Sequence, residues 1–150
     1  MFGISLYGLR FFTAYGPWGR PDMSIFKFCK NILLNKKIEV YNYGNHQRDF
    51  TYISDVVESI IKISKIMKKN EYKIVNIAGA KKVKLMKMII IIEKNLNKKT
   101  KIKYLNLQKG DVIKTLADNK KLRKLIKFTP KVTIDNGLKI FCKWFLKEKK

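Results

Sequence analysis

Within a few residues of Leu9 the chain changes character. The largely apolar run Leu9–Phe12 gives way to Tyr15-Gly-Pro-Trp-Gly-Arg-Pro-Asp-Met23. Gly16, Pro17, Gly19 and Pro21 exclude helix or strand across that segment, so what reads as a buried strand has to end in a loop. The strand end and this segment together carry Thr13, Tyr15, Trp18 and Arg20. A loop delivered from the end of a sheet strand is where α/β proteins keep their ligand contacts, because the sheet fixes the anchor and the loop supplies the groups.

The rest of the chain alternates strand-like and helix-like segments. A strand is expected over Ile4–Thr13, then a helix capped by Asp22 and running to about Asn35, with Ile25, Cys29 and Ile32 on one face. Lys36–Tyr43 alternates like a short strand and turns at Gly44-Asn45. Arg48–Tyr52 reads as extended, and Asp55 with Glu58 reads as a capping box for a helix Val56–Lys68. Apolar residues at 56, 57, 60, 61, 63, 66 and 67 give that helix a surface wide enough to expect heavy packing on a sheet. Ile74–Ile77 is a short strand closed by Ala78-Gly79. Leu85, Ile89, Ile92 and Leu96 mark a helix with Lys84, Lys87 and Lys94 outward, and Lys101–Leu105 is a strand. Beyond the Gly110-Asp111 turn, Asn119 is placed to cap a short helix with Leu122, Leu125 and Ile126 inward. Ile134, Leu138, Phe141 and Phe145 define a last helix, followed by a solvated tail from Lys147. No repeat or linker divides residues 1–150, which read as a single α/β unit.

Charge suggests one function and its distribution suggests another. The net charge of +23 would favour a polyanion partner through phosphate neutralisation. Residues 1–60, however, carry only +2, and residues 61–150 carry +21. The cations comprise 30 Lys and 4 Arg, and Arg10, Arg20 and Arg48 fall in two short stretches. Lys, Ile and Asn fill 61 positions, a bias expected of AT-rich codons, so the lysines read as drift and the arginines as signal. No specific nucleic-acid partner is expected. The longest apolar run, Met88–Ile92, is far short of the roughly 20 residues of a membrane span, and no export leader follows Met1. A cytoplasmic location without a membrane partner is the expectation. Cys29 and Cys142 read as small hydrophobes on helix faces. The single histidine, His46, has no carboxylate or serine at a meaningful spacing and reads as a solvated loop side chain. One His and two remote Cys build no metal site.

Three stretches together carry a resemblance: Tyr15-Gly-Pro-Trp-Gly-Arg-Pro-Asp-Met23, Arg48-Asp-Phe-Thr-Tyr-Ile-Ser-Asp55 and Gln108-Lys-Gly-Asp-Val-Ile-Lys-Thr-Leu-Ala-Asp118. They resemble the carboxyl-terminal part of extended short-chain dehydrogenase/reductases of the NAD-dependent epimerase/dehydratase family, and within it UDP-glucuronate 4-epimerases. The likeness continues through Phe128-Thr-Pro130 and Gly137–Trp144. It implies part of a doubly wound, Rossmann-like parallel sheet with a small α/β substrate-binding lobe, the N-terminal dinucleotide-binding part being missing. It further implies a UDP-sugar partner, UDP-glucuronate or UDP-galacturonate, and an enzyme that is a homodimer when complete. That enzyme would use NAD to oxidise C4, let the 4-keto sugar rotate, and return the hydride to the other face.

The same resemblance nominates site residues. Arg48 would meet the diphosphate, which a guanidinium suits because it stays charged and can donate two parallel bonds. Tyr52 and Asp111 would lie nearby, Asp111 accepting from a ribose hydroxyl. Thr13 and Arg20 would hold the sugar carboxylate, which needs a cation or several donors once desolvated. Val40 and Asn42 would line the uracil and ribose, unless that segment is a plain surface hairpin. Arg10 is assigned to packing. Gln108 stands where related epimerases often carry a second arginine, a difference that points to the glucuronate branch, and Ala78 stands where many members have glycine. No G-x-x-G-x-x-G loop and no Tyr-x-x-x-Lys occurs in the 150 residues, so no catalytic residue is assigned. Another nucleotide-sugar epimerase or dehydratase fragment, or a basic polyanion-binding module, are the readings left open.

Overall fold

The computed structural model describes residues 4–148. In chain order these form β1 (Leu6–Phe11), β2 (Ala14–Tyr15), α1 (Ser24–Leu33), β3 (Lys37–Tyr41), a 3-10 turn (Asn42–Gly44), β4 (Gln47–Asp49) and β5 (Thr51–Tyr52). Then follow α2 (Ile53–Ser64), β6 (Tyr72–Ile77), β7 (Lys82–Lys84), α3 (Leu85–Leu96), β8 (Lys101–Leu105), α4 (Lys120–Ile126) and α5 (Ile134–Glu148). The fold is α/β. Three pairs, β1–β6, β2–β5 and β3–β8, are parallel, and β4–β7 is antiparallel.

One lobe is built on β3 and β8, which pair Ile38 with Ile102 and Val40 with Tyr104. Period-two alternation sends Ile38 and Val40 inward and leaves Lys37 and Glu39 outward. Against the inward face lie Ile25, Phe28, Cys29 and Ile32 of α1, Met88, Ile89 and Ile92 of α3, and Leu138, Phe141 and Phe145 of α5, all in one core. The 3.6-residue spacing expected for α1, α3 and α5 is therefore what closes the lobe. Cys29 and Cys142 meet in this core with their sulfurs 3.9 Å apart. The contact with Cys142, together with burial, pushes the Cys29 thiol far above its ordinary range.

The second region is the parallel pair β1–β6 with α2 and α4 behind it, where Val56, Ile63, Val75, Ile77 and Leu122 are buried together. Among the described residues neither strand pairs with a third. The expected buried strand is thus only half covered: Leu6 and Phe11 remain exposed, and so does Arg10, which was assigned to packing. Of the wide apolar surface of α2, Val56 and Ile63 are covered, whereas Val57, Ile60 and Ile61 face solvent.

Three expected helix caps are corrected. Asp22 does not cap α1, whose N-cap is Met23; its carboxylate is taken by Arg20. Asp55 lies inside α2, which starts earlier than expected, and its Oδ2 accepts from the Lys131 and Val132 amides at 3.0 and 2.9 Å. Glu58 pairs instead with Lys62, one turn on. Asn119 does hold the N-cap position of α4, but its side chain donates to the Ala78 carbonyl. In each case a partner distant in sequence, or another side chain, outcompetes the local amide. No helix among the described residues is long and apolar enough to cross a membrane.

Candidate functional site

The segment Arg48–Asp55 divides its residues between two tasks. Asp49, Thr51 and Asp55 are buried clamps. Asp49 Oδ2 accepts from the Ala117 amide at 3.0 Å, and Thr51 Oγ1 accepts from the Gly79 amide at 2.9 Å. Burial raises the Asp49 carboxyl above the usual carboxylate range despite the amides that favour its charged form. Phe50 and Tyr52 enter the core, where the Tyr52 ring stands edge-on to Tyr15 at 5.4 Å. Of the segment, Arg48 is the cation presented to a cleft.

That cleft has a volume of about 520 Å³. Its walls are the start of α1, the outward face of β3, Lys103 of β8, and His46, Arg48 and Asp111. Arg48 Nη2 donates to Asp111 Oδ1 at 2.8 Å, across 63 residues of sequence, and Nη1 donates to the Gln47 carbonyl at 3.3 Å. A guanidinium tied to one carboxylate keeps donors for a second anion. Lys27, Lys37 and Lys103, three of the lysines read as drift, also line the cleft, together with Asp22 and Glu39, and Lys103 lies 3.7 Å from the Glu39 carboxylate.

His46 corrects the expectation of a solvated side chain. Only 6% of its surface is exposed, and its Nδ1 lies 3.5 Å from Asp111 Oδ2. Its backbone is fixed on both sides, donating to the Gly44 carbonyl at 2.8 Å and accepting from the Leu85 amide at 2.9 Å. Gly44 allows this with φ +83°, and a Cβ there would sit 2.6 Å from Met86 Sδ. Sequence spacing concealed the partnership because Asp111 lies 65 residues away. The signal that was present is the glycine two residues earlier, which marks a tightly approached turn.

Val40 and Asn42 part company. The Val40 side chain is fully buried in the core, and the cleft wall is made by its alternating neighbours Lys37, Glu39 and Tyr41. The strand's parity thus sends that side chain to the opposite face from the cleft, and the residue as a whole is buried. Asn42 begins the 3-10 turn and donates to the Asn45 carbonyl at 3.0 Å. Tyr52, likewise, lies in the core and outside the cleft lining, since the chain turns into α2 directly after it.

Thr13 and Arg20 border a neighbouring hollow of about 20 Å³, which shares Ser24 and Phe50 with the main cleft. Arg20 is highly exposed and engages Asp22 through Nε at 3.0 Å and Nη2 at 2.5 Å. These hydrogen bonds hold the Asp22 carboxyl below the usual carboxylate range. An exposed pair of this kind is weak and exchangeable. The structure therefore gathers Arg48 and Asp111 in one cleft, sets Thr13 and Arg20 beside it, and leaves the Val40 and Tyr52 side chains in the core.

The parallel strand pairs and the helices packed on them define an α/β protein. More specifically, the profile of the NAD dependent epimerase/dehydratase family matches residues 1–78, and the chain belongs to that family. An uncharacterized protein of Methanocaldococcus jannaschii is 59% identical over 149 residues, which is 99% of this chain and 45% of that relative. A UDP-glucuronate 4-epimerase of Thermodesulfobacterium geofontis is 41% identical over 145 residues, 96% of this chain and 44% of its own. Among solved structures, a UDP-glucuronic acid 4-epimerase of Bacillus cereus in complex with UDP-glucuronic acid and NAD superposes with a TM-score of 0.87 at 29% identity. The match covers 93% of this chain and 45% of that one. The chain thus spans about half the length of the relatives it matches.

Proposed function

We propose that this chain is the UDP-sugar-binding portion of a UDP-glucuronate 4-epimerase, interconverting UDP-glucuronate and UDP-galacturonate once completed by an NAD-binding portion. The observation that carries the reading is the cleft in which Arg48, Asp111 and His46, drawn from two distant segments, meet beside the loop bearing Thr13 and Arg20. Arg48 supplies the charge-assisted donors for a diphosphate. Asp111 orients Arg48 and offers an acceptor to a ribose hydroxyl. Arg20 becomes available to a sugar carboxylate when it exchanges Asp22 for that anion, with the Thr13 hydroxyl alongside.

No dinucleotide loop is assigned to the described residues. A dinucleotide loop needs glycine where a strand turns into a helix, so that backbone can approach the pyrophosphate. The direct strand-to-helix junctions here, Tyr52–Ile53 and Lys84–Leu85, contain none. No hydride step is assigned to this chain, whose residues bind and orient. The test is reconstitution. Co-expressed with the amino-terminal half of a close relative, the chain should convert UDP-glucuronate to UDP-galacturonate with added NAD, and Arg48→Ala should abolish that conversion. A reconstituted enzyme that accepts UDP-glucose but not UDP-glucuronate would refute the assignment to the glucuronate branch.

A further inference from the structure

We propose that His46 is a positioning residue for the bound diphosphate: when protonated it takes over Asp111, frees the Arg48 guanidinium for the anion, and makes anion binding at the cleft pH-dependent. The inference rests on the reading of the cleft as a sugar-nucleotide site. Its first support is geometry. Asp111 is shared, with Oδ1 on Arg48 Nη2 at 2.8 Å and Oδ2 facing His46 Nδ1 at 3.5 Å. An anion arriving at Arg48 competes with Asp111 for the same guanidinium, and a carboxylate released in a half-buried site needs another cation. The imidazolium is the group within reach.

The second support is independent of the first. His46 Nε2 is buried and has no hydrogen-bond partner among the described residues. A buried polar atom left unpaired is costly, and His46 is one of the residues lining the cleft. The backbone bonds to Gly44 and Leu85 prevent the ring's anchor from moving away.

Other charged groups line the same cleft. Asp22 and Lys27 come from α1 and its lead-in, Lys37, Glu39 and Tyr41 from β3, and Lys103 from β8; from α3, Leu85 adds only apolar surface. Of these side-chain types, imidazole is the one that ordinarily changes charge between pH 8 and 5.5. Gaining that proton adds one positive charge to a site that receives about two negative ones. Across about 4–6 Å of an open cleft with a water-like dielectric, this should tighten binding by roughly 3- to 10-fold.

The test uses the 150-residue chain and UDP-glucose, whose diphosphate diester keeps its charge across this window and which lacks a sugar carboxylate. Affinity is measured from pH 8 to pH 5.5 for the native chain, His46→Gln and Arg48→Ala. In parallel, the ring signal of the single histidine is followed by NMR. The proposal expects affinity to rise about 3- to 10-fold towards pH 5.5, the rise to vanish in His46→Gln, and the ring signal to move on adding UDP-glucose. Should His46→Gln not fold, Asp111→Asn serves, since removing the shared carboxylate should also flatten the profile. A slope unchanged in His46→Gln, or a flat native profile with binding still lost in Arg48→Ala, overturns the role of His46 and leaves the cleft reading intact. No UDP-glucose binding at any pH overturns both.

Discussion

Ile38, Val40, Met88, Ile92, Leu138 and Phe141 in the lobe keep 2% or less of their surface. On the strand pair and α2, Leu6, Phe11, Val57, Ile61 and Tyr72 keep 46–66%. Hydrophobic content does not explain the contrast, since both regions are rich in Ile, Leu and Phe. The lobe finds its packing partners within the described residues: α1, α3 and α5 cover one face of β3. Among the described residues the strand pair has helices on one side and no third strand at either edge, so its apolar groups and backbone edges stay open. The cleft belongs to the closed region. Arg48, Asp111 and His46 meet in that region.

The contrast can be broken most sharply in the two cores. Phe141→Ala should cost about 3–5 kcal/mol by transfer and cavity terms, read from thermal or denaturant melting. Ile61→Ser on the open face of α2 should change stability by no more than about 0.5 kcal/mol, yet reduce self-association in sedimentation. Equal losses of stability from both would show that the open face is in fact covered. Next in size are the buried clamps. Asp55→Ala leaves the Lys131 and Val132 amides without their acceptor and should cost about 1–3 kcal/mol. Gly44→Ala should cost a similar amount, about 1–3 kcal/mol of backbone strain, and should also weaken nucleotide binding, because it dislodges His46. A melting curve matching the native chain would remove Gly44 as the reason His46 is fixed.

Smaller effects are expected at the loop. Arg20→Ala should weaken UDP-glucuronate by several-fold more than UDP-glucose, a loss of about 1 kcal/mol for an exposed charge-assisted contact; equal losses for the two sugars would refute the carboxylate role. The Asp22–Arg20 pair gives the smallest effect. Arg20 holds the Asp22 carboxyl below its ordinary range, so any stabilisation is present above the unfolded carboxylate value and lost as pH falls through the folded one. Because the pair is exposed, Asp22→Asn should leave the melting temperature unchanged at pH 7 and at pH 3. A clear drop at pH 7 alone would mean that the pair anchors the loop.

Much of this was legible in the residues, and what was not has physical causes. The Lys101–Leu105 strand, the α3 face Leu85-Ile89-Ile92-Leu96 and the α5 face Leu138-Phe141-Phe145 follow from periodicity, since each is one regular element against one core. Arg48 and Asp111 could be nominated together only through a resemblance, because 63 residues separate them. The side chains that defeated local reading are those whose partners are remote or whose face is set by tertiary pairing. Asp55 reads as a cap but straps residues 131–132. Val40 reads as a ligand contact but is turned inward by strand parity. His46 reads as solvated because Asp111 reaches it through folding alone. The three-residue β7 carries no periodic signal and exists because β4 lies beside it.

A diphosphate site at Arg48 is tested most directly by UDP affinity measured by calorimetry for the native 150-residue chain and for Arg48→Ala. It predicts saturable one-to-one binding to the native chain and a loss of about 1.5–3 kcal/mol, roughly 10- to 150-fold, in the variant. Identical UDP affinity in the two proteins would contradict it.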